Sequence, residues 1–408
     1  MQIHVVQSGQ TLYGIARTYG ISVADLSAAN QINPIQTLVI GQALVIPITG
    51  MYYFVQPGDT LYKIGRRFGV NHLRLAQMNA INPIDPLQIG FRLYIPPAPK
   101  TPVESNAYVE AVNGRFTDAA TSAVVEHAPL LTYLAPFSFE ARPDGSLATF
   151  DVSPIKGASA GSGAVLMMAV TNLENGQFSD AVGEAILNDT SVQDVLLDHI
   201  IEAAGEYGFQ DIHFDFEYLR PEDREPYNAF LKKAAQRLHA ERLLISTALA
   251  PKTSASQTGQ WYTAHDYRAH GEIVDFVVIM TYEWGYSAGP PMAVSPIGPV
   301  RQVLECAKTE IPANKIMMGQ NLYGYDWTLP FVKGGAYARA ISPQTAISLA
   351  RENHAFIEYD YTAQAPFFYY RDASQKQHVV WFEDARSIQA KFVLLKELSL
   401  RGVSYWKM

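Results

Sequence analysis

Residues 209–217 read Phe-Gln-Asp-Ile-His-Phe-Asp-Phe-Glu, and this alternation of polar and apolar side chains predicts a β-strand. The two faces are Asp211, His213, Asp215 and Glu217 on the polar side, and Ile212, Phe214 and Phe216 on the apolar side. Taken alone, the segment also fits a half-exposed strand with one face in water. Its surroundings favour burial, because an amphipathic helix pattern precedes it and a helix start, Pro221-Glu-Asp-Arg224, follows it.

The order of strand and then helix recurs along residues 105–408. We expect eight strands, at Ala107–Glu110, Leu130–Ala135, Ala164–Val170, Asp211–Phe216, Leu243–Ala248, Val274–Thr281, Ile316–Asn321 and Gly402–Trp406. Amphipathic helices are predicted at Val192–Tyr207, Tyr227–His239 and Ser387–Leu400. This order predicts an α/β protein with a (β/α)₈ TIM barrel. Residues 328–385, before the eighth strand, are too many for one loop and predict a small α+β insertion.

The polar face of the 209–217 strand is the strongest chemical signal in the barrel. It would point into the barrel interior, where ionisable groups are costly unless they serve a function. Glu217 would lie at the carboxyl end of the strand, where such barrels carry their active sites. Asp215 and Glu217 would be ~6.6 Å apart along the strand, so both would approach a substrate from one side. Carboxylates so placed cannot flank a glycosidic bond, but they suit a glycosidase whose substrate supplies its own 2-acetamido nucleophile.

Ahead of the barrel, residues 3–47 and 52–96 form an internal repeat with an offset of 49 and no gap. Three segments carry the match, namely Gly9-x-Thr-Leu-Tyr13 with Gly58-x-Thr-Leu-Tyr62, Asn30-x-Ile-Asn-Pro-Ile35 with Asn79-x-Ile-Asn-Pro-Ile84, and Leu44-x-Ile-Pro47 with Leu93-x-Ile-Pro96. Each copy predicts a strand, two helices and a strand. We therefore place modules at 1–48 and 51–97 and a proline-rich linker at 98–104.

Both copies resemble the LysM module over their full length. The resemblance implies binding of N-acetylglucosamine-containing glycans such as peptidoglycan and chitin, in a groove between the first strand–helix turn and the loop before the last strand. The residues so implied are Gly9, Thr11, Leu12, Asn30, Ile32 and Asn33 in the first copy, and Gly58, Thr60, Leu61, Asn79, Ile81 and Asn82 in the second. An alternative interpretation is that the Gly, Asn and Pro residues only shape turns.

The Asp-x-Glu at the end of the fourth strand resembles the signature of glycoside hydrolase family 18, the chitinase family. The family usually carries Asp-x-Asp-x-Glu, and His213 stands at the first Asp. Further resemblances are Met280-Thr-Tyr-Glu283, Gly319-Gln-Asn-Leu-Tyr-Gly-Tyr-Asp-Trp327 and Ser404-Tyr-Trp406. They imply that Glu217 is the general acid and base, that Asp215 orients the acetamido group and that Tyr282 donates to its oxygen. The implied substrate-binding residues are His213, Glu283, Trp284, Asn321, Tyr323 and Trp406.

Two of these residues allow more than one interpretation. His213 would either hydrogen-bond Asp215 or be a satisfied histidine of the barrel interior. All five tryptophans lie in the barrel part, and for Trp261 we favour simple packing. The family's Ser-x-Gly-Gly on the third strand is missing, and the chain has Met168-Ala-Val-Thr-Asn-Leu-Glu-Asn-Gly176 instead. That run, with two LysM copies, resembles the cortical-fragment-lytic N-acetylglucosaminidases of spore-forming Firmicutes.

This resemblance implies hydrolysis of spore cortex peptidoglycan or its fragments during germination. The alternatives are a chitinase and a non-catalytic chitinase-like lectin, although such lectins usually lose the catalytic Glu. The N-terminus shows no secretory signal, and we expect a protein made in the mother cell that resides at the spore coat/cortex boundary.

The remaining composition excludes several other classes. The net charge of −8 divides into +4 for residues 1–100 (seven Lys or Arg, three Asp) and therefore −12 for the rest, which argues against a nucleic-acid substrate. No apolar run approaches a membrane span. No His-Glu-x-x-His, paired-Cys or Walker motif is present, so we expect neither metal nor cofactor. The single cysteine, Cys306, is interpreted as a small buried filler rather than a nucleophile.

Overall fold

The computed structural model of the chain describes residues 2–408, so Met1 of the first predicted module lies outside the described residues. Its centre is a closed barrel of eight parallel strands in chain order, in which the fourth strand pairs with both the third and the fifth. The barrel strands are Glu104–Glu110, Tyr133–Phe137, Val165–Thr171, Asp211–Asp215, Leu244–Leu249, Phe276–Ile279, Ile316–Asn321 and Gly402–Trp406. The predicted TIM barrel is confirmed.

The strand ends differ from the prediction at a few places. The first strand begins at Glu104, within the predicted linker, because residues 104–107 pair with the eighth strand and close the barrel. The sixth strand is shorter than predicted, because the chain turns after Ile279: the N–H of Thr281 donates to Ile279 O and the N–H of Tyr282 to Met280 O. This turn brings the residues that follow the sixth strand over the barrel mouth.

Helices surround the barrel and cover the apolar faces of its strands. They are Asp118–His127, Ser153–Ala158, Asp180–Leu187, Thr190–Tyr207, Arg224–Ala240, Tyr267–Ile273, Ile297–Glu310 and Ala385–Leu398, and short strands lie at Phe139–Ala141, Leu147–Ala148, Leu173–Glu174 and Gln177–Phe178. Phe214 packs on Phe230 with ring centroids 5.2 Å apart, and Phe216 stacks on Tyr227 at 5.8 Å. The apolar face of the fourth strand therefore lies under a helix, which leaves its polar face to the barrel interior.

The predicted insertion is a separate antiparallel sheet between the seventh and eighth barrel strands. Its strands and helix are Gly324–Thr328, Arg339–Ile341, Glu358–Asp360, Ala365–Arg371, Gln377–Trp381 and Pro343–Glu352. It starts at Gly324, four residues earlier than predicted, because its first strand follows the barrel strand after only two residues, 322 and 323. One edge of this sheet contributes to the barrel mouth.

The two N-terminal modules have the predicted strand–helix–helix–strand order. Their elements are Gln2–Val5, Leu12–Tyr19, Val23–Asn30 and Ala43–Ile46, and then Met51–Phe54, Leu61–Phe68, His72–Met78 and Arg92–Ile95. The modules contact one another: Gln2 exchanges two hydrogen bonds with the backbone of Tyr52, and the guanidinium of Arg92 donates to the carbonyl oxygen of Thr18 at 2.9 Å. No helix within residues 2–408 has the length and apolar character needed to cross a membrane.

Candidate active site

A cleft of about 1080 Å³ opens at the carboxyl ends of the barrel strands. Six of the nine residues predicted to be catalytic or to bind substrate in the barrel line it, namely Asp215, Glu217, Tyr282, Glu283, Tyr323 and Trp406. They end or follow the fourth, sixth, seventh and eighth strands. Residues far apart in sequence meet here because parallel strands end at the same side of the barrel.

The backbone of Glu217 is fixed by a residue of another strand. Asn172, immediately after the third strand, accepts a hydrogen bond from the N–H of Glu217 (2.9 Å) and donates one to its carbonyl oxygen (2.9 Å). Asn172 is fully buried. It belongs to the run that replaces the family's Ser-x-Gly-Gly, where the sequence indicated a departure but no role. A side-chain amide thus holds both backbone polar groups of the residue that carries the acid.

The carboxylate of Glu217 is held by Trp261. Its indole Nε1–H donates a 2.5 Å hydrogen bond to Oε2 of Glu217, and the indole ring stacks on Tyr218 (5.9 Å between centroids, 10° between planes). Trp261 also lines the cleft. The interpretation of Trp261 as mere packing was therefore wrong. The one available signal was its place after the fifth strand, at the end of the barrel that carries the site.

Burial sets the electrostatics of the two acidic residues. Asp215 and Glu217 are only 6% and 8% exposed. Burial raises the pKa of Glu217 well above its ordinary value and the carboxylate of Asp215 raises it further, whereas the hydrogen bond from Trp261 lowers it. Burial also raises the pKa of Asp215. Among the described residues, Oδ1 of Asp215 has no hydrogen-bond partner. The pair can therefore hold a proton near neutral pH and offers a free acceptor.

The opposite part of the cleft is tyrosine-rich. Tyr323 and Tyr325 both donate to the carboxylate of Glu283, Tyr325 at 3.1 Å. These two hydrogen bonds lower the pKa of Glu283, although burial, the larger effect, leaves it raised. Burial raises the pKa of Tyr282, so its hydroxyl keeps its proton and can donate. Glu283 is thus committed to two tyrosines, unlike Asp215.

An aromatic floor closes the bottom of the cleft. Trp406, the last residue of the eighth strand, contacts Phe137 edge-on at 4.7 Å and Tyr108 at 5.3 Å. All three side chains line the cleft. Such a surface suits the C–H face of a sugar ring. At the rim, Lys407 forms an ion pair with Glu110.

His213 lies beneath the cleft and not in its lining. Its Nε2 pairs with the hydroxyl of Tyr108 (2.8 Å) and its Nδ1 with Ser246 (2.8 Å), and Ser246 donates in turn to Asp211 (2.8 Å). The predicted hydrogen bond to Asp215 is absent among the hydrogen bonds of residues 2–408. Burial lowers the pKa of His213 to about 3, so the ring is neutral, and burial raises the pKa of Asp211 to about 7. Of the two interpretations of His213, the structure agrees with the second: it is a histidine of the barrel interior with both ring nitrogens hydrogen-bonded.

Two further residues predicted to bind substrate lie away from the cleft. Trp284 packs against the barrel core, since the chain turns at Glu283, whose φ is +67°. Asn321 is fully buried and donates to the carbonyl oxygen of Tyr323 at 2.7 Å. Both residues shape the loops that carry Glu283 and Tyr323 instead of lining the cleft.

Most of the twelve LysM residues make structural contacts. Thr11 and Thr60 cap helices, and Leu12, Ile32 and Leu61 are buried in the module cores, with Ile81 partly buried. Asn30 and Asn79 bridge a helix to the last strand with three hydrogen bonds each. The exposed members are the capping residues Thr11 and Thr60, the glycines Gly9 and Gly58, both with φ of +79°, and Asn33 and Asn82. Of the twelve, these exposed members are the most accessible to a ligand at the module surface.

No group of three or more His, Cys, Asp or Glu side chains that would hold a metal ion occurs within residues 2–408. Cys306 is half-buried in the helix Ile297–Glu310, with a pKa that burial raises.

Comparison with known proteins gives two family matches. The model of glycosyl hydrolases family 18 matches residues 138–408, and the LysM domain matches residues 4–47 and 53–96.

Similar proteins match over the whole chain. The "Cortical fragment-lytic enzyme" of Bacillus subtilis (strain 168) is 63% identical over 100% of this chain and 95% of that protein. A "Putative sporulation-specific glycosylase YdhD" of the same strain is 32% identical over 100% of this chain and 95% of its own length. Among solved structures, the spore cortex-lytic enzyme SleL of Bacillus megaterium QM B1551 is 53% identical, with a TM-score of 0.92 over 100% of this chain and 94% of that one.

Proposed function

Because the chain belongs to glycosyl hydrolase family 18 and is a glycoside hydrolase with two LysM domains, we propose that it cleaves at N-acetylglucosamine in spore cortex peptidoglycan or its fragments during germination. The observation that carries the proposal is the pair of buried carboxylates, Asp215 and Glu217, two residues apart on one wall of the cleft. The other carboxylates of the cleft, Glu110 and Glu283, are engaged by Lys407 and by two tyrosines.

In the first step Glu217 is the general acid and gives its proton to the leaving glycosidic oxygen. Its raised pKa keeps that proton available near neutral pH. With no second carboxylate placed across the bond, the 2-acetamido oxygen of the substrate attacks the anomeric carbon as the glycosidic bond breaks. The product is an oxazolinium ion, and the configuration at the anomeric carbon is inverted once.

Two side chains stabilise this intermediate. The unpartnered Oδ1 of Asp215 accepts from the acetamido N–H, whose positive charge grows as the ring closes. The hydroxyl of Tyr282 donates to the acetamido oxygen and aims it at the anomeric carbon. In the second step the deprotonated Glu217 removes a proton from water, which opens the oxazolinium ion. The second inversion gives net retention.

The substrate assignment rests on the similar proteins. Two proteins that match this chain over its full length are named for lysis of cortical fragments or spore cortex, and peptidoglycan strands contain the N-acetylglucosamine that this chemistry requires. We propose further that the protein is synthesised in the mother cell and lies at the boundary of spore coat and cortex, where it would meet this substrate. Fractionation of spores with an antibody against the chain tests this location.

Digestion of three glycans tests the activity. Wild type and Glu217→Gln are incubated with cortex fragments, vegetative peptidoglycan and chitin oligomers, and products are read by mass spectrometry. We expect new N-acetylglucosamine reducing ends from cortex fragments and a loss of at least ~10²-fold in the variant. Proton NMR of the first-formed anomer should show retention. Cleavage of chitin oligomers alone would make the protein a chitinase, and binding without cleavage of any substrate would leave a lectin.

A further inference from the structure

The two LysM modules differ in one loop although their sequences align without a gap. In the first module, residues 37–42 dock on the insertion. Two backbone carbonyls of this loop accept hydrogen bonds from the insertion, Thr37 O from Arg351 Nε (2.9 Å) and Ile40 O from Ile357 N (2.9 Å). The carbonyl oxygen of Gly41 accepts from a guanidinium nitrogen of Arg386 (3.1 Å), in the helix Ala385–Leu398. This loop is called the docking loop below.

The docking is tightly packed as well as hydrogen-bonded. Val39 is 4% exposed and shares one apolar cluster with residues of the insertion, among them Ile341 and Ile357. Gly41 has a φ of +85°, and a Cβ there would lie 1.8 Å from the carbonyl oxygen of Ile357. Only glycine fits this approach. The first module is therefore held in one position against the insertion.

The equivalent loop of the second module has no such partner within residues 2–408. Gly90 corresponds to Gly41, and a Cβ added there would meet no atom within 4 Å. Ile89 corresponds to Ile40 and is 70% exposed, and Gln88 stands where the first module has the buried Val39. The repeat thus offers its own internal control, since one copy is docked and the other is free at the same position.

The docked module adjoins the wall of the catalytic cleft. Ile341, which contacts the Val39 cluster, also lines the cleft, and so does Ser342, the cap of the helix Pro343–Glu352. Two residues further, or about 3 Å along the helix axis, Gln344 donates to the side chain of Gln31 at 3.4 Å. Gln31 immediately precedes the exposed loop that contains Asn33.

From this continuity we propose that the first module is a fixed distal glycan subsite of the catalytic cleft. One strand of N-acetylglucosamine-containing glycan lies along its 30–35 loop, passes the Ser342 end of the insertion helix and enters the cleft. The second module binds glycan independently of the cleft. The proposal rests on the proposed function, because it requires that the cleft take a glycan strand. It makes the first module part of the substrate path and not merely a tether.

The test undocks the first module in the full chain. Val39→Asp places a charge in the shared apolar cluster, and Gln88→Asp is the matched change at the free loop. Both are assayed on a short probe, an N-acetylglucosamine tetrasaccharide, and on long glycan strands purified from cortex. We expect Val39→Asp to raise KM for long strands roughly tenfold, a change of ~1.4 kcal/mol in strand binding, with kcat and tetrasaccharide turnover unchanged. Gln88→Asp should match wild type on both.

A second variant controls for misfolding of Val39→Asp. Arg351→Ala removes one hydrogen bond of the docking loop without entering the cluster, and we expect the same KM effect in smaller degree. Equal kinetics of Val39→Asp, Arg351→Ala and Gln88→Asp on long strands would overturn the distal subsite. Loss of tetrasaccharide turnover in either docking variant would do the same, because the effect would then lie in the cleft. Failure of wild type to cleave either glycan would instead overturn the proposed function.

Discussion

The indole N–H of Trp261 donates a 2.5 Å hydrogen bond to Oε2 of Glu217, while Oδ1 of Asp215, two residues before Glu217, has no partner among the described residues. The two carboxylates of the pair therefore differ in their hydrogen bonding. One is oriented by a neutral donor outside the barrel strands, and the other is left with a free acceptor.

Trp261→Phe keeps an aromatic ring stacked on Tyr218 and removes the indole N–H that donates to Glu217. Because this hydrogen bond lowers the pKa of Glu217, its loss raises that pKa. The general acid then stays protonated to higher pH, so the basic limb of the profile of kcat/KM against pH shifts to higher pH. We expect kcat to fall roughly tenfold, the scale of a lost hydrogen bond to a charged group. Tyr262→Phe, a change in the neighbouring cleft residue, should leave the limb in place, and an unmoved limb in Trp261→Phe would contradict the role given to the indole.

Asp215→Asn should move the same limb in the opposite direction. The carboxylate of Asp215 raises the pKa of Glu217, so its removal lowers that pKa and the basic limb shifts to lower pH. The amide also stabilises the oxazolinium ion less well, and we expect kcat to fall by about 10²–10³. The measurement is a pH profile on a chromogenic N-acetylglucosamine oligomer. A shift in the same direction as for Trp261→Phe would show that the two residues do not oppose one another.

Asn172→Ala tests the backbone clamp on Glu217. Without the amide, the N–H and C=O of Glu217 lose their partners and the acid moves from its place. A displacement of ~1 Å can cost 10²-fold in rate, so we expect kcat to fall by that order with KM nearly constant. Asn188→Ala is the matched control, since the side chain of Asn188 also makes two hydrogen bonds but has no contact with Glu217. A rise in KM with kcat unchanged would assign Asn172 to substrate binding instead.

These residues mark where sequence reasoning succeeded and where it stopped. Alternation located the fourth strand and its polar face, because a barrel strand must bury one face under helices. It could not find Trp261 or Asn172, which follow strands in irregular segments without periodicity. It also could not separate His213 from Asp215, because a two-residue period places both on one face but says nothing of depth. Nor could it foresee which repeat docks, since Gly41 and Gly90 occupy equivalent positions and only the partner surface differs.

The buried hydrogen bonds that join His213, Ser246 and Asp211 beneath the cleft should contribute to stability. Ser246 links the neutral ring of His213 to Asp211. Ser246→Ala leaves a ring nitrogen and a carboxyl oxygen without their partner in the barrel interior, and each orphaned group costs about 1–3 kcal/mol. We expect urea denaturation to show a loss of unfolding free energy in that range or above. Ser254→Ala removes a surface hydroxyl that contacts only Ser256 at 3.4 Å and should be neutral. Equal stability of the two variants would mean that the hydrogen-bonded chain contributes nothing to folding.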